Sequence, residues 1–158
     1  IVSLIPLTPA DYSAGGQTAL YDAVLDALTG AAAYEENLLQ SGVTPQVIVV
    51  VLSDGADNNS QRATAGKIKR LMDEFEKREN WIVGFIGFET YETRDHGVDF
   101  TVVANNAGIS LVETIDLGID VYERRHKIRQ TLHRVSKSVI RASKVKIDPS
   151  SKAGFFTV

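Results

Sequence analysis

The 158-residue chain has no cysteine, a single methionine, a single tryptophan and only four prolines. Without cysteine there is no disulfide scaffold, no thiolate-ligated zinc site and no thiol catalysis. No apolar run approaches the roughly 18 residues that a membrane-spanning helix requires. Internal repeats and low-complexity stretches are lacking too, and composition is ordinary, at 44% hydrophobic and 23% charged. That balance excludes a disordered chain, and the length suits one domain with its own core. The sequence opens on Ile1, with neither the basic segment nor the apolar run of a secretion signal. The expectation is therefore a piece of a longer polypeptide and not a signal-bearing precursor. The missing cysteines lean towards a cytoplasmic setting.

What is present is a split of charge. Residues 1–123 carry 7 Lys and Arg against 19 Asp and Glu, a balance of −12. Residues 124–158 carry 10 Lys and Arg against Asp148 alone, a balance of +9 within a net −3. Such asymmetry marks an interaction tail, or a basic end that lies against its own acidic body.

Apolar periodicity orders the chain as alternating strands and helices. Residues 1–5 read as a short strand closed by Pro6. From Thr18 to Leu39 the spacing of Leu20, Val24 and Leu28, with abundant alanine, predicts a helix. Residues 46–52 are apolar on both faces with no alternation, which predicts a central strand covered by helices on both sides. Residues 61–79 form an amphipathic helix carrying Ile68, Leu71, Met72 and Phe75 on one stripe. Residues 81–88 read as a second buried strand and residues 100–104 as a third, after a polar loop at 89–97. Residues 119–145 predict one long helix with Ile128, Leu132, Val135 and Val139 on its apolar stripe, and residues 148–158 a tail or late strand. Strands alternating with helices imply right-handed crossovers and a three-layer, doubly wound, mostly parallel α/β sheet.

In such sheets ligands bind outside the carboxyl ends of the strands. Two loops are therefore of interest, residues 12–23 and residues 52–60. Asp54 follows the most apolar strand, where an ionised carboxylate needs a cation or several donors. With the hydroxyls of Thr18, Ser53 or Ser60 it supplies hard oxygen ligands of the type Mg²⁺ takes. Alternatively, Asp54 and Asp57 cap a helix beginning near Gln61. A P-loop, a dinucleotide-binding glycine motif and an EF-hand are all rejected by spacing. His96, His126 and His133 are scattered and read as surface residues, and the Tyr and Phe residues as core and rim, not a nucleic-acid stacking face.

The two loops together carry a resemblance. Gly15-Gly16-x-Thr18-Ala19-Leu20-Tyr21-Asp22-Ala23, followed by an apolar strand ending in Leu52-Ser53-Asp54-Gly55-Ala56-Asp57-Asn58, resembles the von Willebrand factor type A domain over residues 1–115. The resemblance implies a metal-ion-dependent adhesion site in which Thr18 and Asp54 hold Mg²⁺, or Mn²⁺ or Ca²⁺. Gly16, Gln17, Asp57 and Asn58 would form its partner-binding rim. The family's remaining ligands lie in an Asp-x-Ser-x-Ser motif on a central first strand, which does not occur in this sequence. That part of the fold is expected to come from another chain or segment.

Between Arg124 and Ile147 there are 9 Lys and Arg, 2 His and no acidic residue. Arg124, Arg125, Lys127, Arg129, Arg134 and Lys137 are the candidate contacts for a polyanion or an acidic partner. The competing expectation is a final helix that packs its apolar stripe and leaves these charges solvated or facing the acidic body.

The sequence thus predicts a von Willebrand factor A-like unit over residues 1–118, a basic helix over 119–147 and a tail over 148–158. Its expected function is protein interaction, not catalysis, with a metal ion receiving an Asp or Glu from a protein partner. The alternatives are an assembly protein with a degenerate metal site that uses the basic helix, and a metal-dependent phosphohydrolase built on Asp54 and Asp57.

Overall fold

In a computed structural model, residues 8, 16–144 and 154–156 are described. The chain runs α1 (Leu20–Gln40), β1 (Val47–Ser53), α2 (Ala65–Phe75), β2 (Trp81–Glu89), α3 (Tyr91–Asp95), α4 (Phe100–Asn106), β3 (Leu111–Asp116) and α5 (Val121–Lys144). The three strands form an all-parallel open sheet in the order β1-β2-β3. The strand expected over residues 1–5 lies outside the described residues, as does most of the tail at 148–158.

Strand alternation sends successive side chains to opposite faces, and each face has its own core. Val47, Val49, Val51, Trp81, Val83 and Phe85 point into the layer formed by α1, α2 and α4. Ile48, Val50, Ile82, Ile86 and Phe88 point the other way, against Ile128, Val135 and Ala142 of α5 and against Phe155 and Phe156. The result is three layers. No helix among the described residues is long and apolar enough to cross a membrane.

β2 is buried at every position from Trp81 to Phe88, as its unbroken apolar run predicts. Its two glycines make room for close neighbours. A Cβ at Gly84 would lie 2.7 Å from Phe156 Cζ, and one at Gly87 would fall inside the Phe100 side chain. β1 is half-buried, Leu52 is 42% exposed, and among the described residues it pairs with β2 alone.

Residues 100–104 are a second correction, for they form helix α4 and not a strand. Phe-Thr-Val-Val-Ala has strong β-propensity, but the Asp99 carboxylate accepts hydrogen bonds from the Thr101 and Val102 amides and starts a helix there. Phe100 and Ala104, one turn apart, then bury against the sheet, and tertiary packing overrides the weak local preference. Gly108 at φ +77° closes α4 with Gly108 N–H to Asn105 O and Ile109 N–H to Ala104 O. The third strand is instead Leu111–Asp116, whose polar Glu113 is met by Arg134 of α5 at 2.6 Å.

α1 is tied to the sheet by a buried carboxylate. Glu35 continues the stripe of Leu20, Val24 and Leu28, and accepts from Arg78 Nη1 at 2.7 Å, Asn80 Nδ2 at 2.5 Å and Trp81 Nε1 at 2.9 Å. Burial pushes this carboxyl up, but the Asn80 and Trp81 hydrogen bonds and the Arg78 charge overcome it and hold it low. Trp81 in turn stacks on Phe75 with ring centroids 4.0 Å apart.

Gly87→Ala should therefore destabilise the domain by about 1–3 kcal/mol through overpacking against Phe100. Gly30→Ala, in the open interior of α1 with nothing within 4 Å of the new methyl, should instead stabilise by roughly 0.5–1 kcal/mol. Urea denaturation of the two variants against the parent checks both signs.

Candidate functional site

The carboxyl end of β1 opens into the turn Asp54–Ser60, and the first turn of α1 is laced to it. Thr18 N–H donates to Asn58 Oδ1 at 2.6 Å, while Thr18 O accepts from the Asn58 and Asn59 amides at 3.0 and 3.2 Å. Tyr21 N–H donates to Asp57 Oδ1 at 3.2 Å, and Asp22 N–H to Ser60 Oγ at 3.0 Å. The Ser60 hydroxyl donates to Asp57 Oδ1. With no side-chain cap of its own at Ala19, α1 has its exposed N-terminal amides satisfied by this turn.

Asp22 is the second half of the brace. Its carboxylate accepts from the amides of Gln61 at 2.9 Å, Arg62 at 2.9 Å and Ala63 at 2.8 Å. Those bonds, led by the Gln61 amide and aided by the Arg62 charge, hold the carboxyl below its ordinary range against the opposing effect of burial. Arg62 also forks onto Asp26 at 2.7 and 2.9 Å. Burial, and then the charge of Asp57, raise the Tyr21 phenol above its ordinary value.

The brace brings Thr18 against Gly55, the residue that follows Asp54. Thr18 Oγ1 lies 3.1 Å from the position a Cβ on Gly55 would take, so its hydroxyl faces the residue directly after Asp54. Asp54 is exposed, and neither its carboxylate nor the Thr18 hydroxyl is hydrogen-bonded among the described residues. Ser53, by contrast, spends its hydroxyl on Gly55 O at 2.7 Å. Two hard oxygen donors thus stand unengaged at the mouth of β1. Their kind fits a hard divalent cation, which binds through one or two carboxylates and keeps waters. Their number is small, and among the described residues no group of three or more His, Asp or Glu forms a metal-binding cluster.

Helix capping does not account for Asp54 or Asp57. α2 begins at Ala65, later than the sequence suggests, and its cap is Thr64, whose hydroxyl accepts from the Lys67 amide at 3.3 Å. Of the expected rim, Gly16 and Gln17 are exposed, whereas Asp57 and the Oδ1 of Asn58 are committed to holding α1. Asp22 was missed as a site residue. The only sequence signal is a carboxylate on a helix beside its apolar stripe, which looks the same as any solvated acid.

On α5, Lys127 pairs with Glu123 at 2.8 Å, Arg134 with Glu113, and Arg124 Nε donates to Gly118 O at 3.0 Å. Arg125, Arg129 and Lys137 are exposed and form no ion pair among the described residues. Among the described residues the basic helix therefore meets its own acidic body in part, through Glu113 and Glu123. The three histidines are exposed, as expected.

A cleft of about 1020 Å³ lies at the opposite end of β1, lined by Ala32, Ala33 and Leu39 of α1, by Thr44–Gln46, and by Ser143 and Lys144 of α5. It is remote from Asp54. Comparison of the chain with family models, with curated proteins and with solved structures gives no match.

The Asp22 brace makes stability pH-dependent with a definite sign. A carboxyl held low in the fold stabilises above its unfolded value, about 3.9, and loses that contribution as pH falls through the lower folded value. Thermal unfolding between neutral pH and pH ~3 should show a steeper acid loss for the parent than for Asp22→Asn. The variant keeps some slope, because Asp26, Glu35 and Asp116 are held low as well.

Proposed function

We propose that the chain is the metal-bearing part of a protein-interaction module of the von Willebrand factor A type. The reading is supported by one observation: the Thr18 hydroxyl faces Gly55, the residue after Asp54, and neither that hydroxyl nor the Asp54 carboxylate is hydrogen-bonded among the described residues. A turn held by eight hydrogen bonds from or to residues 18–22 is a costly way to place a solvated loop, and an economical way to position ligands.

Thr18 and Asp54 would hold Mg²⁺, or Mn²⁺ or Ca²⁺ in its place. The metal supplies a positive centre with a position open to an Asp or Glu carboxylate of a protein partner. Around it Gly16 and Gln17 form the open rim, and Asp57 and Asn58 act through the backbone of α1, keeping Thr18 in place. Further oxygen ligands come from water and from a first strand of the Asp-x-Ser-x-Ser kind. Phosphate-ester hydrolysis finds less support, because Asp57, the second carboxylate it needs, already receives the Tyr21 amide and the Ser60 hydroxyl. An assembly role for the basic helix has one observation in its favour, the exposed Arg125, Arg129 and Lys137, which form no ion pair among the described residues.

Mn²⁺ binding, followed by electron paramagnetic resonance, should weaken by about tenfold or more in Asp54→Ala and less in Thr18→Ala, with the circular dichroism of both unchanged. Capture of an acidic protein partner should fall in the same order and vanish in EDTA. Equal Mn²⁺ affinity in the parent and both variants would sink the reading.

A further inference from the structure

The structure divides the basic residues of α5 into two sets. Arg124, Lys127 and Arg134 lie roughly 20–60° around the helix from Thr131, which is buried. These three meet Gly118 O, Glu123 and Glu113. The second set shares the opposite face. Arg125, Arg129, Lys137 and Lys144, with His126 and His133 among them, stand roughly 120–160° from Thr131. All six are exposed, and none has a side-chain hydrogen bond or an ion pair among the described residues.

This outer face runs about 28 Å from Arg125 to Lys144 and carries no acidic residue. A helix surface that serves only solubility mixes the two signs, because like charges at i, i+4 repel. Arg125 and Arg129 are such a like pair. Arg125 also stands near the N-terminal end of α5, where the helix dipole disfavours a cation. Two apolar side chains punctuate the face. Tyr122 and Ile140, both roughly 180° from Thr131, are 80% and 54% exposed.

We infer that the outer face of α5 docks an acidic helix of a partner protein. Its Asp or Glu residues, one per turn, meet Arg125, Arg129 and Lys137, and its apolar residues cover Tyr122 and Ile140. Charge complementarity gives the sign of the partner, and the rest of the chain limits its extent. Residues 1–123 carry a balance of −12. A nucleic-acid duplex or an anionic bilayer extends beyond α5 and meets that acidic body too, whereas a single helix covers the basic face alone. Insertion into a bilayer also needs an apolar face, and Ile128, Val135 and Ala142 of α5 are already packed on the sheet. The inference rests on the assembly role of the basic helix and draws on nothing at the metal site.

The test is fluorescence anisotropy in EDTA at low salt, with the 158-residue chain titrated into a labelled alanine-based helical peptide of about 20 residues, close to the length of α5. The peptide carries glutamates along one face and a leucine near each end. It should bind about fivefold or more tightly than a peptide of the same composition with its glutamates spread around the helix. Arg125→Glu, Arg129→Glu and Lys137→Glu combined should weaken binding by about tenfold or more, with circular dichroism unchanged. The corresponding glutamine variants should show a smaller loss. Lys69→Glu, Arg70→Glu and Lys77→Glu combined, at exposed positions elsewhere and with the same change in net charge, should bind like the parent. Equal affinity for the two peptides, or equal losses in the two sets of glutamate variants, would overturn the inference. So would tighter binding of duplex DNA or of phosphatidylserine vesicles, which removes the acidic-helix partner and keeps an assembly role. No binding of peptide, duplex or vesicles removes both.

Discussion

Eight consecutive residues of β2, from Trp81 to Phe88, are buried, and that single constraint organises the rest of the molecule. A backbone removed from water must have its N–H and C=O groups paired, so a strand is needed on either side, and β1 and β3 supply them. Side chains on both faces must meet apolar partners, so helices are needed above and below. Gly84 and Gly87 let Phe156 and Phe100 approach the strand more closely than any side chain would permit. The Glu35 cluster, with Arg78, Asn80 and Trp81, ties the far end of α1 to the start of the same strand.

At the opposite end of the sheet the polar groups are arranged to position one another. Asp57, Asn58, Ser60 and Asp22 are engaged with backbone, and their combined effect is to lock the entry of α1 to the exit of β1. Against that network, the Thr18 hydroxyl and the Asp54 carboxylate, neither hydrogen-bonded among the described residues, are the hard donors that the proposed metal site would use.

Among the described residues, part of the charge asymmetry is met by ion pairs and carbonyl contacts. Glu113 and Glu123 take Arg134 and Lys127, and carbonyl oxygens take Arg124 and Arg141. Arg125, Arg129 and Lys137 stay exposed, while the buried positions of α5 are the small or β-branched Thr131, Ser138 and Ala142.

Periodicity and composition by themselves determined the α/β class, the helices α1 and α5 and the strands β1 and β2; the choice of Thr18 beside Asp54 came from the family resemblance and not from these patterns. Each of the elements rests on a local signal: an i, i+4 stripe or an uninterrupted β-branched run. Tertiary structure decided the rest. Residues 100–104 have the composition of a strand and become a helix, because Asp99 caps them and Phe100 fills the space over Gly87. Residues 111–116 are a strand although Glu113 interrupts the apolar pattern, because Arg134, distant in sequence, meets that charge. Asp22 looks like a solvated acid until the amides of residues 61–63 close around it. The pairing of β1 with β2 in parallel register was not legible locally either, since an apolar strand has the same sequence whatever its neighbour is.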